Sequence, residues 1–370
     1  MGRLPRLLQP YLTWVTGAPL VGGRPLFRWT ARKAAILGIG QTVAGVAVGA
    51  IALAALRPAT VPVLLLSLLL TTGGMRRLDV VVVHQTLHRM FAKTPGRNRV
   101  VGELVTTLLW RMPYEKNREQ HLLHHAYPCS MRDQDTRYLM STGMRPGMTR
   151  GEFRRYLAKA LVSPRHHGSF FYSRMRGNLT LRQRPYRLAM SIAYLAATGA
   201  FLALTGLWIH WLVLWFVPVT FLFQDATFLY TQTEHRWWLF SNAEKLSRIE
   251  RDQLTFGRMC GDPVPDVAGR ARIIQLLAWT KWWLRLILVH SSYRMFVLVG
   301  DTVQHDLHHV QPGCDWPNSP YIRSEDITRT PERYTDVWGS IVDHLHASGQ
   351  VRTDRLAPMA QLQPSGATQR

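Results

Sequence analysis

Residues 34–75 read "AAILGIGQTVAGVAVGAIALAALRPATVPVLLLSLLLTTGGM", an apolar run with a single charged side chain, Arg57, next to Pro58. A helix of this length would extend about 63 Å, roughly twice the ~30 Å hydrocarbon thickness of a bilayer. The run therefore predicts a helical hairpin, two membrane-spanning helices joined by a turn near residues 57–59. Buried helices of soluble proteins rarely exclude polar residues over such a length, which disfavours that alternative.

A second apolar run, residues 188–230, repeats this pattern. Its one charged side chain is Asp225, and residues 205–207 (Thr-Gly-Leu) mark a turn close to its middle. We therefore predict an all-α integral membrane protein in which four transmembrane helices form two hairpins.

The basic residues lie almost entirely outside these runs and predict the orientation of the chain. Of the 45 Lys and Arg residues, six precede residue 34, 22 lie between 76 and 187, and 16 follow residue 235. Because positively charged loops stay in the cytoplasm, both large polar segments are predicted to form a cytoplasmic helical cap. The net charge of +22 is attributed to this orientation, since no basic-aromatic motif indicates nucleic-acid binding.

The composition also indicates a compartment. Arginine outnumbers lysine 39 to 6, which is typical of GC-rich bacteria and favours a bacterial inner membrane. The three cysteines form no CxxC pair, so neither a disulfide framework nor a thiolate metal site is expected. The predicted organisation is a basic, irregular N-terminal arm (1–33), a first transmembrane hairpin (34–75), a first cap segment (76–187), a second transmembrane hairpin (188–230), a second cap segment (231–350) and a disordered tail (351–370).

Four histidine motifs lie in the polar segments. The stretches "VVVHQTLHRM", "REQHLLHHAY", "LYTQTEHRWW" and "VQHDLHH" contain nine histidines: His84, His88, His121, His124, His125, His235, His305, His308 and His309. On a helix, residues three and four apart share a face, so each HxxxH or HxxHH motif is expected to direct its imidazoles to one point. Nine imidazoles exceed the needs of one tetrahedral metal, so two ions are predicted. Imidazole suits Zn, Fe, Cu and Ni, and the pattern leaves the metal open.

The order and spacing of these motifs resemble those of the integral-membrane fatty acid desaturase and hydroxylase superfamily. The resemblance extends from about residue 34 to residue 320. It implies a non-haem di-iron centre of two Fe ions, bound by the nine histidines on a cytosolic cap, that uses O₂ as co-substrate. It further implies a lipid or acyl substrate, with desaturation of a fatty acyl chain as the expected reaction. Hydroxylation of an alkane, lipid or carotenoid-like chain is the alternative, and a non-oxidative zinc protein is a third possibility from another class.

Two features depart from the stearoyl-type desaturases within this superfamily. Thr231 stands where those enzymes place an Asn, four residues before the fourth-motif histidine, and "TQTEH" instead resembles the Glu-His element of alkane hydroxylases and some bacterial desaturases. The sequence contains no HPGG segment of a fused cytochrome b5, so a separate ferredoxin, rubredoxin or cytochrome b5-type protein is expected to deliver electrons.

Carboxylates near the motifs are candidates to orient the metal ligands, by accepting a hydrogen bond from the imidazole nitrogen that does not bind the metal. Asp225 and Asp301 are favoured, because each is a charged side chain near the end of an apolar segment and needs a partner there. Asp133 and Asp135, in "MRDQDTRY", resemble an acidic follow-on of the family. Thr231 could hold a metal-bound water, and Glu234 could support a ligand. The remaining histidines are predicted not to bind metal: His166, His167, His210, His290, His344 and His346.

Overall fold

The computed structural model describes residues 4–145, 147–180, 184–237 and 246–348. The tail predicted at residues 351–370 lies outside the described residues.

Among the described residues, four helices are long and apolar enough to cross a membrane, as the sequence predicts. They are the first apolar helix Ala31–Ala54, the second Pro58–Leu87, the third Pro185–Thr205 and the fourth Trp208–Gln232. The side chain of Thr30 caps the start of the first by accepting a hydrogen bond from the Lys33 backbone. The third ends at Gly206, whose φ of 69° is a conformation that glycine adopts without strain. These helices make the protein membrane-associated.

The second apolar helix continues beyond the apolar run that predicted it. A π-helical segment, Leu78–Val83, follows Arg77, and a last α-helical turn, His84–Leu87, completes the helix. The charged residues that end the run are satisfied within the fold: Arg76 donates to the Thr227 hydroxyl, and Asp79 pairs with Arg111. His84 therefore lies on an apolar helix itself, and the boundary predicted between residues 75 and 76 falls inside this helix.

Small residues allow the first and second apolar helices to pack closely. A Cβ at Gly45 would lie 2.5 Å from the Thr71 backbone nitrogen, and one at Gly74 would lie 2.5 Å from the Thr42 backbone nitrogen. Since partner numbers fall as residue numbers rise, the two helices run antiparallel. In a lipid bilayer the hydrophobic effect does not drive helices together, and close backbone packing at small residues favours their association instead.

The other elements are short and mostly helical. Those before the third apolar helix are Arg6–Leu8, Gln9–Thr16, Pro95–Leu108, Tyr114–Ala126, Gln134–Ser141, Arg150–Val162 and Pro164–Asn178. Those after the fourth are Arg248–Asp252, Arg272–Leu284, Arg285–His290, Ser291–Phe296, Thr302–Gln304, His305–Val310, Trp316–Asn318, Ser319–Arg329, Pro331–Arg333 and Ile341–Ala347. The fourth apolar helix itself contains two π-helical segments, Leu212–Phe216 and Pro218–Leu222.

The all-α prediction was incomplete, because two strands pair in parallel. Gly257–Cys260 and Asp336–Gly339 are in register from Gly257 opposite Asp336 to Cys260 opposite Gly339. Each strand has only four residues, and the first is buried throughout. Neither GRMC nor DVWG alternates regularly between polar and apolar residues, so the pattern by which sequences indicate β-structure is missing from both.

The N-terminal arm is more ordered than its Pro and Gly content predicted. Its helix Gln9–Thr16 packs through Leu12 and Val15 against Trp282 and Leu286. At the end of this helix, the Gly17 carbonyl accepts a 2.6 Å hydrogen bond from the Gln304 amide. The arm thus supports the backbone directly before the last histidine motif.

Candidate metal centre

The nine predicted histidines converge in two groups in the described part of the chain. Within each group, one ligand atom from every residue lies within 4.8 Å of the others. The five-histidine group contains His84, His88, His121, His125 and His308, and the four-histidine group contains His124, His235, His305 and His309.

In the five-histidine group the Nε2 atoms face one another at short range. His121 Nε2 lies 3.0 Å from that of His84, 2.7 Å from that of His88 and 3.1 Å from that of His125. His308 Nε2 lies 2.8 Å from that of His84 and 2.7 Å from that of His125. The rings of His121 and His308 are nearly parallel, with centroids 5.7 Å apart, on opposite sides of the group.

The four-histidine group is arranged in the same way. His235 Nε2 lies 3.0 Å from His124 Nε2 and 3.4 Å from His305 Nε2. His309 Nε2 lies 3.0 Å from His305 Nε2. His124, His235 and His305 are almost completely buried.

Each HxxHH helix supplies both groups, which corrects the expectation that each motif aims at one point. In Tyr114–Ala126, His121 and His125 are one turn apart and share the five-histidine group, whereas His124 enters the other group. In His305–Val310, His305 and His309 share the four-histidine group and His308 enters the other. Residues four apart share a helix face while adjacent residues diverge, so one short helix spans both groups.

His235 reaches its group from outside a helix. The fourth apolar helix ends at Gln232, and His235 forms an isolated antiparallel bridge with Thr255. Thr231 and His235 are four residues apart, but they do not share a helical face because the helix ends between them. Thr231 lies in the wall of a cavity beside Glu234, and its carbonyl accepts a 2.9 Å hydrogen bond from the Trp237 indole.

The donor set fits a metal better than it fits hydrogen bonding. His121 Nε2 faces three other Nε2 atoms, more than a single N–H can bridge. Burial, followed by neighbouring imidazoles, lowers the pKa of His121, His125 and His308 well below the usual value, which favours neutral rings with free lone pairs. Two nitrogens bound at right angles to one ion, each at about 2.0–2.1 Å, would lie about 3 Å apart. The observed separations match this arrangement.

Asp133 orients His124 by accepting a hydrogen bond from Nδ1, the ring nitrogen that faces away from the four-histidine group. His124 Nδ1 donates to Asp133 Oδ1 at 3.2 Å, and Asp135 Oδ2 lies 3.6 Å from the same nitrogen. Burial alone would lower the pKa of His124, but the carboxylates of Asp133, Glu234 and Asp135 raise it to about 10. A carboxylate that holds the Nδ1 proton leaves Nε2 directed at the group, as in many metal sites.

Glu234 lies beside His305 Nε2, the ring nitrogen that faces the other histidines of the group. Its Oε1 lies 3.1 Å from His305 Nε2, and Glu234, His124 and Asp135 form a third potential metal-holding set. Burial raises the pKa of Glu234. The sequence indicated Glu234 only as a support behind a ligand, because spacing does not reveal which ring nitrogen a carboxylate faces.

The two carboxylates favoured by sequence lie elsewhere, which corrects that prediction. Asp225 Oδ1 lies 3.6 Å from His167 Nε2. Asp301 interacts electrostatically with the positive charges of Arg77 and Arg294. A charge near the end of an apolar segment does need a partner, but here each partner comes from another part of the fold. His167 belongs to neither histidine group, and burial raises the pKa of Asp301 to about 7.

None of the six other histidines joins these groups in the described part of the chain. His166 contacts Gln224, His290 lies 3.1 Å from Asp262, and His344 Nδ1 lies 3.2 Å from the Tyr293 hydroxyl.

A cavity of about 1090 Å³ reaches both groups, with His84 and His121 from one and His124 and His305 from the other in its wall. On another side, the ring of Trp316 packs on His308, with centroids 3.8 Å apart. No sequence pattern indicated this contact.

Comparison with known proteins agrees with this geometry. The family model described as "Fatty acid desaturase" matches residues 58–340, which is more than half of the chain and includes all nine histidines. A search of curated proteins found no match. The chain belongs to the fatty acid desaturase family.

Proposed function

We propose that the protein catalyses O₂-dependent desaturation of a fatty acyl chain at a non-haem di-iron centre. One iron would be held by the five-histidine group, and the other by the four-histidine group together with Glu234. Iron bound there would activate O₂ and remove hydrogen from the unactivated alkyl chain. The observation that carries the proposal is the division of nine Nε2 atoms into two adjacent, closely spaced groups in a chain of this family.

The chain's own residues prepare the centre for this role. Asp133 fixes the tautomer of His124, and the Glu234 carboxylate adds a negative charge beside His305. Imidazole and carboxylate ligands together suit iron that must bind O₂. Trp316 packs on the His308 ring, and both side chains are buried.

The reaction requires a separate reductant. Removing two hydrogens from the chain and reducing one O₂ to two waters consumes two further electrons and two protons. We propose that a ferredoxin, rubredoxin or cytochrome b5-type protein delivers these electrons one at a time. Electron delivery by such a protein requires the histidine groups to face the compartment in which the donor is found.

We further propose that the four apolar helices form two hairpins and that the polar segments are a cytoplasmic cap on a bacterial inner membrane. The distribution of Lys and Arg supports this orientation. The antiparallel packing of the first and second apolar helices supports the first hairpin.

Hydroxylation is the second candidate reaction. It consumes the same electrons and O₂ but leaves one oxygen atom on the chain. The observation that favours it is the Thr231–Glu234 pair beside the four-histidine group, where Glu234 faces a ligating nitrogen. A neutral alkane and an acyl chain are both compatible with the histidine groups themselves.

The test is lipid analysis of a host that expresses the protein, with His124→Ala as the inactive control. New double bonds that require O₂ and are absent from the control would support desaturation, and new hydroxyl groups would support the alternative. The purified protein should contain about two irons per chain. Protein that carries only zinc and remains active without O₂ would contradict both.

A further inference from the structure

Three arginine side chains surround one buried phenyl ring close to the metal centre. The guanidinium carbons of Arg76, Arg111 and Arg174 lie 5.4, 5.0 and 5.3 Å from the centroid of the Phe223 ring. Arg174 also stacks on Phe170 at 4.2 Å. Cation–π contacts offset part of the cost of burying these groups, but they leave the positive charge in place.

The cluster has one carboxylate for three cations. Asp79 pairs with Arg111 at 3.0 Å. Arg76 donates instead to a hydroxyl and a carbonyl, those of Thr227 and Val297. Arg174 donates to the carbonyl of Val219. In the described part of the chain, neither Arg76 nor Arg174 forms an ion pair.

Arg174 is the least satisfied member. Its side chain is 6% exposed, and its Nε and Nη2 atoms are buried without a hydrogen-bond partner. Burial, and then the charge of Arg111, lower the pKa of Arg174 well below the usual arginine value. Leaving a buried cation without a counter-ion is strongly unfavourable, so the cluster is suited to receive an anion.

All three arginines line the cavity that reaches the histidines. Five exposed cations line the same cavity: Lys116, Arg145, Arg155, Lys159 and Arg165. Five carboxylates also line it, Asp79, Asp133, Asp135, Glu152 and Glu234, so the eight cations leave the lining with a net positive charge. A lining of net positive charge concentrates anionic ligands.

We propose that Arg76, Arg111 and Arg174 bind an anionic oxygen group of the substrate, a carboxylate or a phosphate. The proposal rests on the proposed function for the identity of its ligand as a substrate and names that substrate's class: an amphiphile with an anionic head. The planar guanidinium of Arg174 has donors free for two oxygens, the arrangement that carboxylate and phosphate groups accept. A neutral alkane offers nothing to this cluster.

The test is equilibrium binding to the full-length protein in a neutral detergent. Hexadecanoate, hexadecyl phosphate and hexadecanol share one chain and differ in the head group. We expect at least one of the two anions to bind about tenfold or more tightly than the alcohol, as charged hydrogen bonds predict. Preference for hexadecanoate would indicate a free acid as ligand, and preference for the phosphate would indicate a phosphate-bearing head group.

Arg174→Gln should remove this preference. Arg176→Gln, an exposed neighbour on the same helix outside the cavity wall, should keep it. Arg174→Lys retains the charge but loses the planar fork, so an intermediate preference is expected, and this variant serves if the Gln variant does not fold. Equal binding of all three amphiphiles, or an unchanged preference in both Arg174 variants, would overturn the proposal. Binding needs no turnover, so this result is independent of whether the desaturase reaction is found.

Discussion

His124 and His125 are neighbours in the chain, yet their imidazoles enter different histidine groups. His124 Nε2 lies 3.0 Å from His235 Nε2, whereas His125 Nε2 lies 2.7 Å from His308 Nε2. One helical turn therefore connects the two groups rigidly, and the separation between their centres depends on this turn. Substitution of His124 and substitution of His125 should therefore affect different metal ions.

The two groups should lose metal separately. We expect His125→Ala and His235→Ala each to lower iron toward about one per chain, and the double variant to lose both, because each change removes a ligand from one group only. Iron per chain in detergent-purified protein measures this. His210→Ala lies outside both groups and should retain full iron, whereas full iron and normal turnover in His235→Ala would mean that His235 is structural.

Asp133→Asn should weaken metal binding without removing a ligand. The amide cannot hold the Nδ1 proton of His124 as the carboxylate does, and such changes typically cost about 10–100-fold in metal affinity or activity. Competition with a chelator measures the affinity. Asp135→Asn, whose carboxylate lies 3.6 Å from the same nitrogen, should cost less. Equal effects of the two variants would argue against a specific role for Asp133.

Glu234 and Asp306 each lie next to a ligand histidine but should behave differently. Glu234→Gln removes the charge beside His305 Nε2, so we expect less iron in the four-histidine group and an altered iron spectrum. Asp306 forms a buried ion pair with Arg323 at 2.5 Å. Asp306→Asn should therefore lower the free energy of unfolding by up to about 3–5 kcal/mol, whereas the protein that does fold should keep its iron. An unchanged iron spectrum in Glu234→Gln would remove Glu234 from the centre.

The orientation can be measured with reporter fusions. Fusions after residues 33, 57, 120, 207 and 330 should report inside, outside, inside, outside and inside, because the basic residues are concentrated in the polar segments. A polar segment that reports outside would contradict the proposed electron donor, since that donor is expected in the cytosol.

The packing of the first and second apolar helices should tolerate bulk at one glycine and not at another. Gly45→Val places its side chain against the Thr71 backbone and the Ser67 carbonyl, and overpacking of this kind costs about 1–3 kcal/mol. Gly40→Val, on the same helix, meets nothing within 4 Å. The melting temperature in detergent should fall for the first variant only. Equal melting temperatures would show that the contact does not limit stability.

The sequence predicted the features that depend on local patterns. Long apolar runs indicated the four helices, and the four histidine motifs indicated the nine histidines that converge. The rest depends on which distant residues meet. Nothing near Asp225 indicated His167, and nothing near Arg174 indicated Phe223 and Phe170. The departure of His235 from its helix was equally hidden, because its bridge partner Thr255 is 20 residues away.

The contact between Gly17 and Gln304 has a consequence for biogenesis. These residues are 287 positions apart in the sequence, and Gly17, with a φ of 79°, fits so closely against Val303 that a Cβ there would clash. Because all four apolar helices lie between these two residues in the sequence, the contact can form only after the ribosome has synthesised all four. Support of the last histidine motif by the amino-terminal arm is therefore a late step of biogenesis, which follows synthesis of the whole apolar part of the fold.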